Sequence, residues 1–199
     1  MPLRGKKIAF ALPEGHFSMP AILAEIHKLA AAGAKLYPFF LATTDHPETD
    51  NQFQKTKKTL EQITGREMLE TSLAEAADLT ADDTSFDIMV IAPCPGNFLA
   101  KLVNTRTTSV ALSKPVRYLQ SGKPVVLALV ANGDSENLLE NIQQIISLKS
   151  IFLVPFGPVE KRGKQIYLSR LDLLFDTVIY AMEQKQLEPV FLEPCWLPN

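Results

Sequence analysis

Apolar side chains gather into five continuous runs: "IAFAL" at 8–12, "KLYPFFLA" at 35–42, "DIMVIAP" at 87–93, "PVVLALVA" at 124–131 and "IFLVPFG" at 151–157. A strand with one face in water alternates apolar and polar positions. These runs do not alternate, so they predict strands covered on both faces, the pattern of a parallel sheet. Pro38 inside the second run implies that this strand starts late or lies where a missing N–H does no harm.

Helical spacing fills the intervals. Ser18 is placed to cap "MPAILAEIHKLAAAG", with Pro20 in the first turn, Gly33 as the stop, and Leu23, Ile26, Leu29 and Ala30 as the buried stripe. "NQFQKTKKTLEQITG" is a second amphipathic segment ending at Gly65. "SENLLENIQQIISLKS" sets Leu138, Leu139, Ile142, Ile145 and Ile146 on one face, and "SRLDLLFDTVIYAMEQKQ" does the same with Leu171, Leu174, Val178 and Met182. The acidic stretch at 71–85 reads as a short helix and a solvated loop. Strands alternating with helices predict a three-layer, Rossmann-like, doubly wound α/β sheet with right-handed crossovers. The expectation is one domain over 1–199, with an extended Pro-rich tail from about residue 187 that wraps over the surface.

Composition narrows the function classes. With 20 Lys plus Arg against 22 Asp plus Glu, the chain has no basic field to attract nucleic acid or an anionic membrane. No apolar run approaches the ~20 residues of a membrane span, and the start lacks a signal-peptide pattern, so a soluble cytoplasmic protein is expected. Cys94 and Cys195 are the only cysteines, neither in CxxC spacing, so no metal site is expected.

Ligands of open parallel sheets bind beyond the carboxyl ends of the strands, near the point where strand order reverses. The loops to inspect are therefore "PEGHFS", "TTDHPETDN", "PCPGNF", "NGDSEN" and "PFGPVEKRGK". Gly15, His16 and Ser18 precede a helix N-terminus, where free N–H groups favour a phosphate, although a capped turn is the more ordinary reading of this loop taken alone. His16 is either an acid–base group or a solvent-facing loop residue; His27 belongs to a helix surface and His46 to a polar loop. In "PCPGN", Pro93 and Pro95 fix backbone angles, Gly96 allows another molecule to approach closely, and Asn97 either meets a ligand or caps the helix. Cys94, after a buried strand, reads as an inert thiol. Lys101, Arg106 and Lys114 could meet substrate carboxylates, but residues of this kind are more often solvated helix positions, and no catalytic residue is assigned.

"FDIMVIAPCPGNFLAKLVN" resembles the strand–turn–helix of the flavin-containing cysteine decarboxylase superfamily, whose turn runs roughly Pro-x-Ser-Ala-Asn-Thr before Ala-Lys. Within that superfamily the chain is similar, nearly end to end, to the B-subunit family of bacterial dipicolinate synthases. "EQITGRE", "IFLVPFGPVEK" and "SRLDLLFDTVIYAMEQKQLEPVFLE" are the more specific stretches.

The resemblance implies the same doubly wound fold and a part in spore formation, in the mother-cell cytoplasm. Together with an A-type subunit, such a chain takes part in oxidising a dihydrodipicolinate-type precursor to pyridine-2,6-dicarboxylate, a small dicarboxylate. NAD(P) is expected only on that A-type partner, and a homo-oligomer is expected for this chain. The superfamily's FMN site maps onto Gly15, His16 and Ser18, then Thr43 and Thr44, then Pro95, Gly96 and Asn97, and finally Ala131 and Asn132. Departures exist: Glu14 replaces a glycine, Phe98 stands where a small hydroxyl residue is usual, and "ADDTSFD" lacks the decarboxylases' histidine. Decarboxylation of a cysteine-like substrate is therefore disfavoured. The rival functions are a non-catalytic scaffold with a degenerate flavin site, or a flavin-dependent decarboxylase of another small acid.

Overall fold

A computed structural model describes residues 2–13, 19–41, 51–71, 86–107, 122–133, 137–161 and 163–194. The apolar runs become β1 (Lys7–Pro13), β2 (Lys35–Leu41), β4 (Ile88–Pro95) and β5 (Val125–Asn132), and the last run splits into β6 (Ile151–Leu153) and β7 (Phe156–Lys161). Two strands that the pattern did not predict join them: β3 (Leu69–Thr71) and β8 (Lys164–Ser169). The sheet runs β3-β2-β1-β4-β5-β8-β7, with β6 also paired to β5. β1 to β6 pair with one another in parallel, whereas β8 is antiparallel to both β5 and β7.

Side chains of each strand alternate between two cores. Ala9, Ala11, Met89, Ile91, Val125 and Leu127 point to one, with residues of α3 (Gly96–Thr107) and α4 (Leu138–Ile146). Ile8, Phe10, Leu12, Ile88, Val90 and Val126 point to the other, under α1 (Met19–Ala31), α2 (Asn51–Thr64) and α5 (Leu174–Met182). Covering both faces is what allows unbroken apolar strands, and it makes the protein a three-layer, doubly wound α/β fold. Among the described residues no helix is long and apolar enough to cross a membrane.

Pro38 sits inside β2, opposite Phe10 of β1. The Lys35 N–H donates to the Lys6 carbonyl at 2.7 Å, so by the period of two Pro38 faces away from β1. On that side β3 begins to pair only at Phe39, so the missing N–H costs no ladder bond.

Helix faces differ from the expectation in detail. On α1 the buried stripe is Ile22, Ile26 and Leu29, with Leu23 and Ala30 half-buried. Glu25 is also buried there; one carboxylate oxygen accepts from Lys28 Nζ at 2.6 Å, and Oε2 has no partner among the described residues. On α4, Leu138, Asn141, Ile142 and Ile145 are buried, while Leu139 and Ile146 are 62% and 49% exposed. A helix lying on a sheet buries only a narrow stripe, and those two aliphatic positions fall outside it. The C-terminal segment starts as a 3-10 turn (Leu171–Leu173) before α5, and Met182 is half-buried.

The far edge of the sheet was the least legible region. Pro155 interrupts "IFLVPFG", and β7 then turns back through Gly163 (φ +72°) into β8. β5 changes neighbour along its length: Val125–Leu127 pair with β6, and Val130–Asn132 with β8. Ser169 fills the junction. Its buried Oγ accepts from the Leu129 N–H at 2.7 Å and donates to the Val154 carbonyl at 3.1 Å. On the other side of β6, the Gln186 carboxamide accepts from the Leu153 N–H at 2.9 Å and donates to the Leu153 carbonyl at 2.7 Å. The tail crosses the root of β7, where the Phe156 N–H donates to the Val190 carbonyl and the Leu192 N–H to the Phe156 carbonyl.

Candidate functional site at the mouth of the sheet

From β1 the chain winds outward to β2 and β3, then returns to β4 and winds the other way to β5. The strand order therefore reverses between β1 and β4, and the carboxyl ends of β1, β4 and β5 frame the crevice where such sheets bind ligands.

The Pro-Cys-Pro-Gly-Asn segment is not a loop. β4 runs to Pro95 and α3 begins at Gly96. An extra residue is fitted into β4, because Ile91 pairs Leu127 while Cys94 pairs Leu129; the Ala92–Pro93 peptide within the bulge is cis. A bulge re-aims the side chains that follow it. Gly96 is favoured by packing inside the chain: a Cβ there would lie a tight 3.1 Å from the Ala131 Cβ. The close approach expected for a ligand is thus made by β5, because the β4–α3 corner is pressed onto the neighbouring strand end. Asn97 lies in the first turn of α3, exposed, with Oδ1 accepting from the Phe98 N–H at 2.8 Å. It serves a free helix donor from just inside the helix, where a cap residue had been expected. Phe98 is buried in the same core as Leu99, Ala131 and Leu138.

On the adjacent strand end, Ala131 is buried and Asn132 exposed. Pro95 pairs Val130, so Gly96–Asn97 and Ala131–Asn132 lie side by side. Two carboxamides at neighbouring strand ends can offer donors and acceptors to the polar edge of a flat molecule. Gly133 follows, donating its N–H to the Gln165 carbonyl at 2.8 Å; a Cβ at Gly133 would meet that oxygen at 3.0 Å. The β7–β8 hairpin is thereby locked against the mouth. Sequence reasoning read it as a loop, although "KQIYLS" after a glycine turn carried a hairpin signal.

The structure brings Pro95, Gly96, Asn97, Ala131 and Asn132 together. Gly15, His16, Ser18, Thr43 and Thr44 lie outside the described residues, as do Glu14, His46, Lys114 and Cys195. His27 and Lys101 are exposed on α1 and α3; Arg106 belongs to α3. Cys94 is fully buried, and burial pushes its thiol pKa well up, so it has no thiolate character at neutral pH. Among the described residues no group of three His, Cys, Asp or Glu side chains is placed to hold a metal.

No protein-family profile matches the chain. Over 197 residues, however, it is 32% identical to the B subunit of dipicolinate synthase from Bacillus subtilis (strain 168), covering 96% of each. The chain belongs to the dipicolinate synthase B-subunit family. The crystal structure of the dipicolinate synthase B subunit from Bacillus halodurans superposes with a TM-score of 0.80 at 28% identity, covering 98% of this chain and 100% of that one. An FMN-dependent cysteine decarboxylase shares the fold at a TM-score of 0.57 and 20% identity, over 90% of this chain and 97% of its own. The B-subunit family thus supplies the full-length match, and the decarboxylase supports the layer architecture alone.

Proposed function

We propose that this chain is the B subunit of a two-part dipicolinate synthase, working with an A-type subunit in the cytoplasm of a sporulating mother cell. The observation that carries the proposal is the near end-to-end match to a synthase B subunit, 32% identical over 197 residues. The reaction aromatises a dihydropyridine dicarboxylate, removing a hydride and a proton from the ring. NAD(P)+, expected on the A-type partner, would supply the final two-electron acceptor, and the proton would go to solvent.

FMN belongs at the strand mouth in this proposal. The described part of the mouth is chemically suited to the flavin ring's polar edge, through the exposed carboxamides of Asn97 and Asn132. Gly15, His16 and Ser18 would take the phosphate, Thr43 and Thr44 its flanking hydroxyl contacts, and the Pro95–Gly96 corner and Ala131 the wall behind the ring. When bound, FMN supplies two-electron redox chemistry. The chain's own residues orient the ring and exclude water from one side of it.

Dipicolinate formation by the A-type partner, with and without this chain, tests the proposal. Production should depend on both; unchanged production without this chain overturns it. The rival reading, a non-catalytic scaffold with a degenerate flavin site, rests on Glu14 and Phe98, which stand where the superfamily has a glycine and a small hydroxyl residue. A visible absorbance scan of freshly purified protein separates the two, since a flavin band supports the holoprotein and a colourless protein the scaffold. Self-association is also proposed, supported by the exposed Leu139 and Ile146 on α4, and sedimentation analysis tests it.

A further inference from the structure

The β7–β8 hairpin carries a charge arrangement that its own fold does not use. Lys161 and Lys164 are direct cross-strand partners at its tip, on the face that also carries Val159 opposite Ile166. Like charges opposite each other across a strand pair are destabilising. Both lysines are exposed, and among the described residues neither has an ion-pair partner. The whole chain is net acidic at −2, so this positive tip is a local feature.

Its position is fixed. Asn132 pairs Ile166, so Lys164 stands two residues, ~7 Å, beyond the carboxyl end of β5. The Gly133–Gln165 hydrogen bond, and the absence of room for a side chain at Gly133, hold the root of the hairpin against that strand end. The tip therefore overhangs the rim of the mouth. It is open to solvent, which suits a broad surface bearing several carboxylates better than one small anion.

We propose that the Lys161–Lys164 tip is a docking element for an acidic face of a second protein. This inference rests on the two-part role proposed above, in which that protein is the A-type partner. Seated on the tip, the partner covers the rim beside Asn132. The charges steer encounter and set orientation, so the association is salt-dependent.

The test measures binding of the full-length chain to the A-type partner at low and high salt, for the wild type and for Lys161→Glu/Lys164→Glu. Reversal should weaken binding on the order of tenfold or more at low salt and flatten the salt dependence. Misfolding is controlled by Lys161→Glu alone, which turns a like-charge pair into an opposite-charge one and should keep or raise the melting temperature. If the wild type binds and the double variant binds equally well, the docking role is overturned while the two-part role stands. If the wild type fails to bind at any salt, the two-part role itself falls. If binding is unchanged but the substrate KM rises, the lysines serve the substrate instead, and the inference is wrong.

Discussion

Replacing Ser169 by alanine removes one hydroxyl from the place where β5 exchanges β6 for β8. That hydroxyl accepts from the Leu129 N–H and donates to the Val154 carbonyl, and all three residues are buried. Alanine leaves both backbone groups without a partner. A buried orphan costs about 1–3 kcal/mol, so two cost roughly 2–4 kcal/mol once partial relaxation is allowed. For a domain of this length each kcal/mol lowers the melting temperature by about 2–4 °C, which gives a fall of about 4–16 °C. Thermal and urea unfolding measure it, with the urea midpoint moving and the slope unchanged. Amide hydrogen exchange at Leu129 should accelerate with the loss, while Ser169→Thr, which keeps the hydroxyl, should retain more protection. A water could restore the bonds only if the vacated space held one with both partners in reach. A fall under ~1 kcal/mol, with Leu129 still protected, would refute the claim that this side chain completes the ladder. The functional consequence follows from position: Asn132 lies just beyond Leu129 on the same strand, so a loosened junction loosens the mouth.

Gly96→Val should destabilise by about 1–3 kcal/mol, because its Cβ would press on Ala131. Ala131→Gly should relieve part of that loss in a double-mutant cycle, and strict additivity would disprove the contact. In a Cys195→Ser background, Cys94 should react with a thiol reagent only on unfolding, and rapid native-state labelling at neutral pH would show that its thiol is not buried. Arg170 donates to the Asp172 carboxylate and holds its pKa below the ordinary carboxylate value. The pair's contribution is therefore present above the unfolded pKa of ~3.9 and is lost as pH falls through the lower folded value; at an exposed site it is at most ~1 kcal/mol. Arg170→Gln should return Asp172 towards its ordinary pKa in an NMR titration, and an unmoved titration would remove the pair as the cause.

Strand positions in the sequence were legible wherever a strand is buried on both faces, since burial leaves an unbroken apolar run. That gave β1, β2, β4 and β5 to within a residue or two, and Gly33 and Gly65, both with positive φ, marked the helix ends. The same logic fails at the sheet's far edge. β8 is half-exposed and only six residues long, so its periodicity is weak, and Pro155 hides the division of the fifth run into two strands.

The site divides the same way. The Pro95–Asn97 corner could be marked from residue type as a strand end, because strand ends follow from the runs, whereas Ala131–Asn132 were marked only by the family resemblance. What Gly96 is for could not be read, since its neighbour Ala131 is distant in sequence and only the β4–β5 register brings them together. Tertiary structure alone decided that glycine's role, the hydroxyl plug at Ser169, and the placement of a lysine-tipped hairpin at the rim. Local sequence records which side chains avoid water; which of them meet across the sheet is set by register, and that is a property of the whole chain.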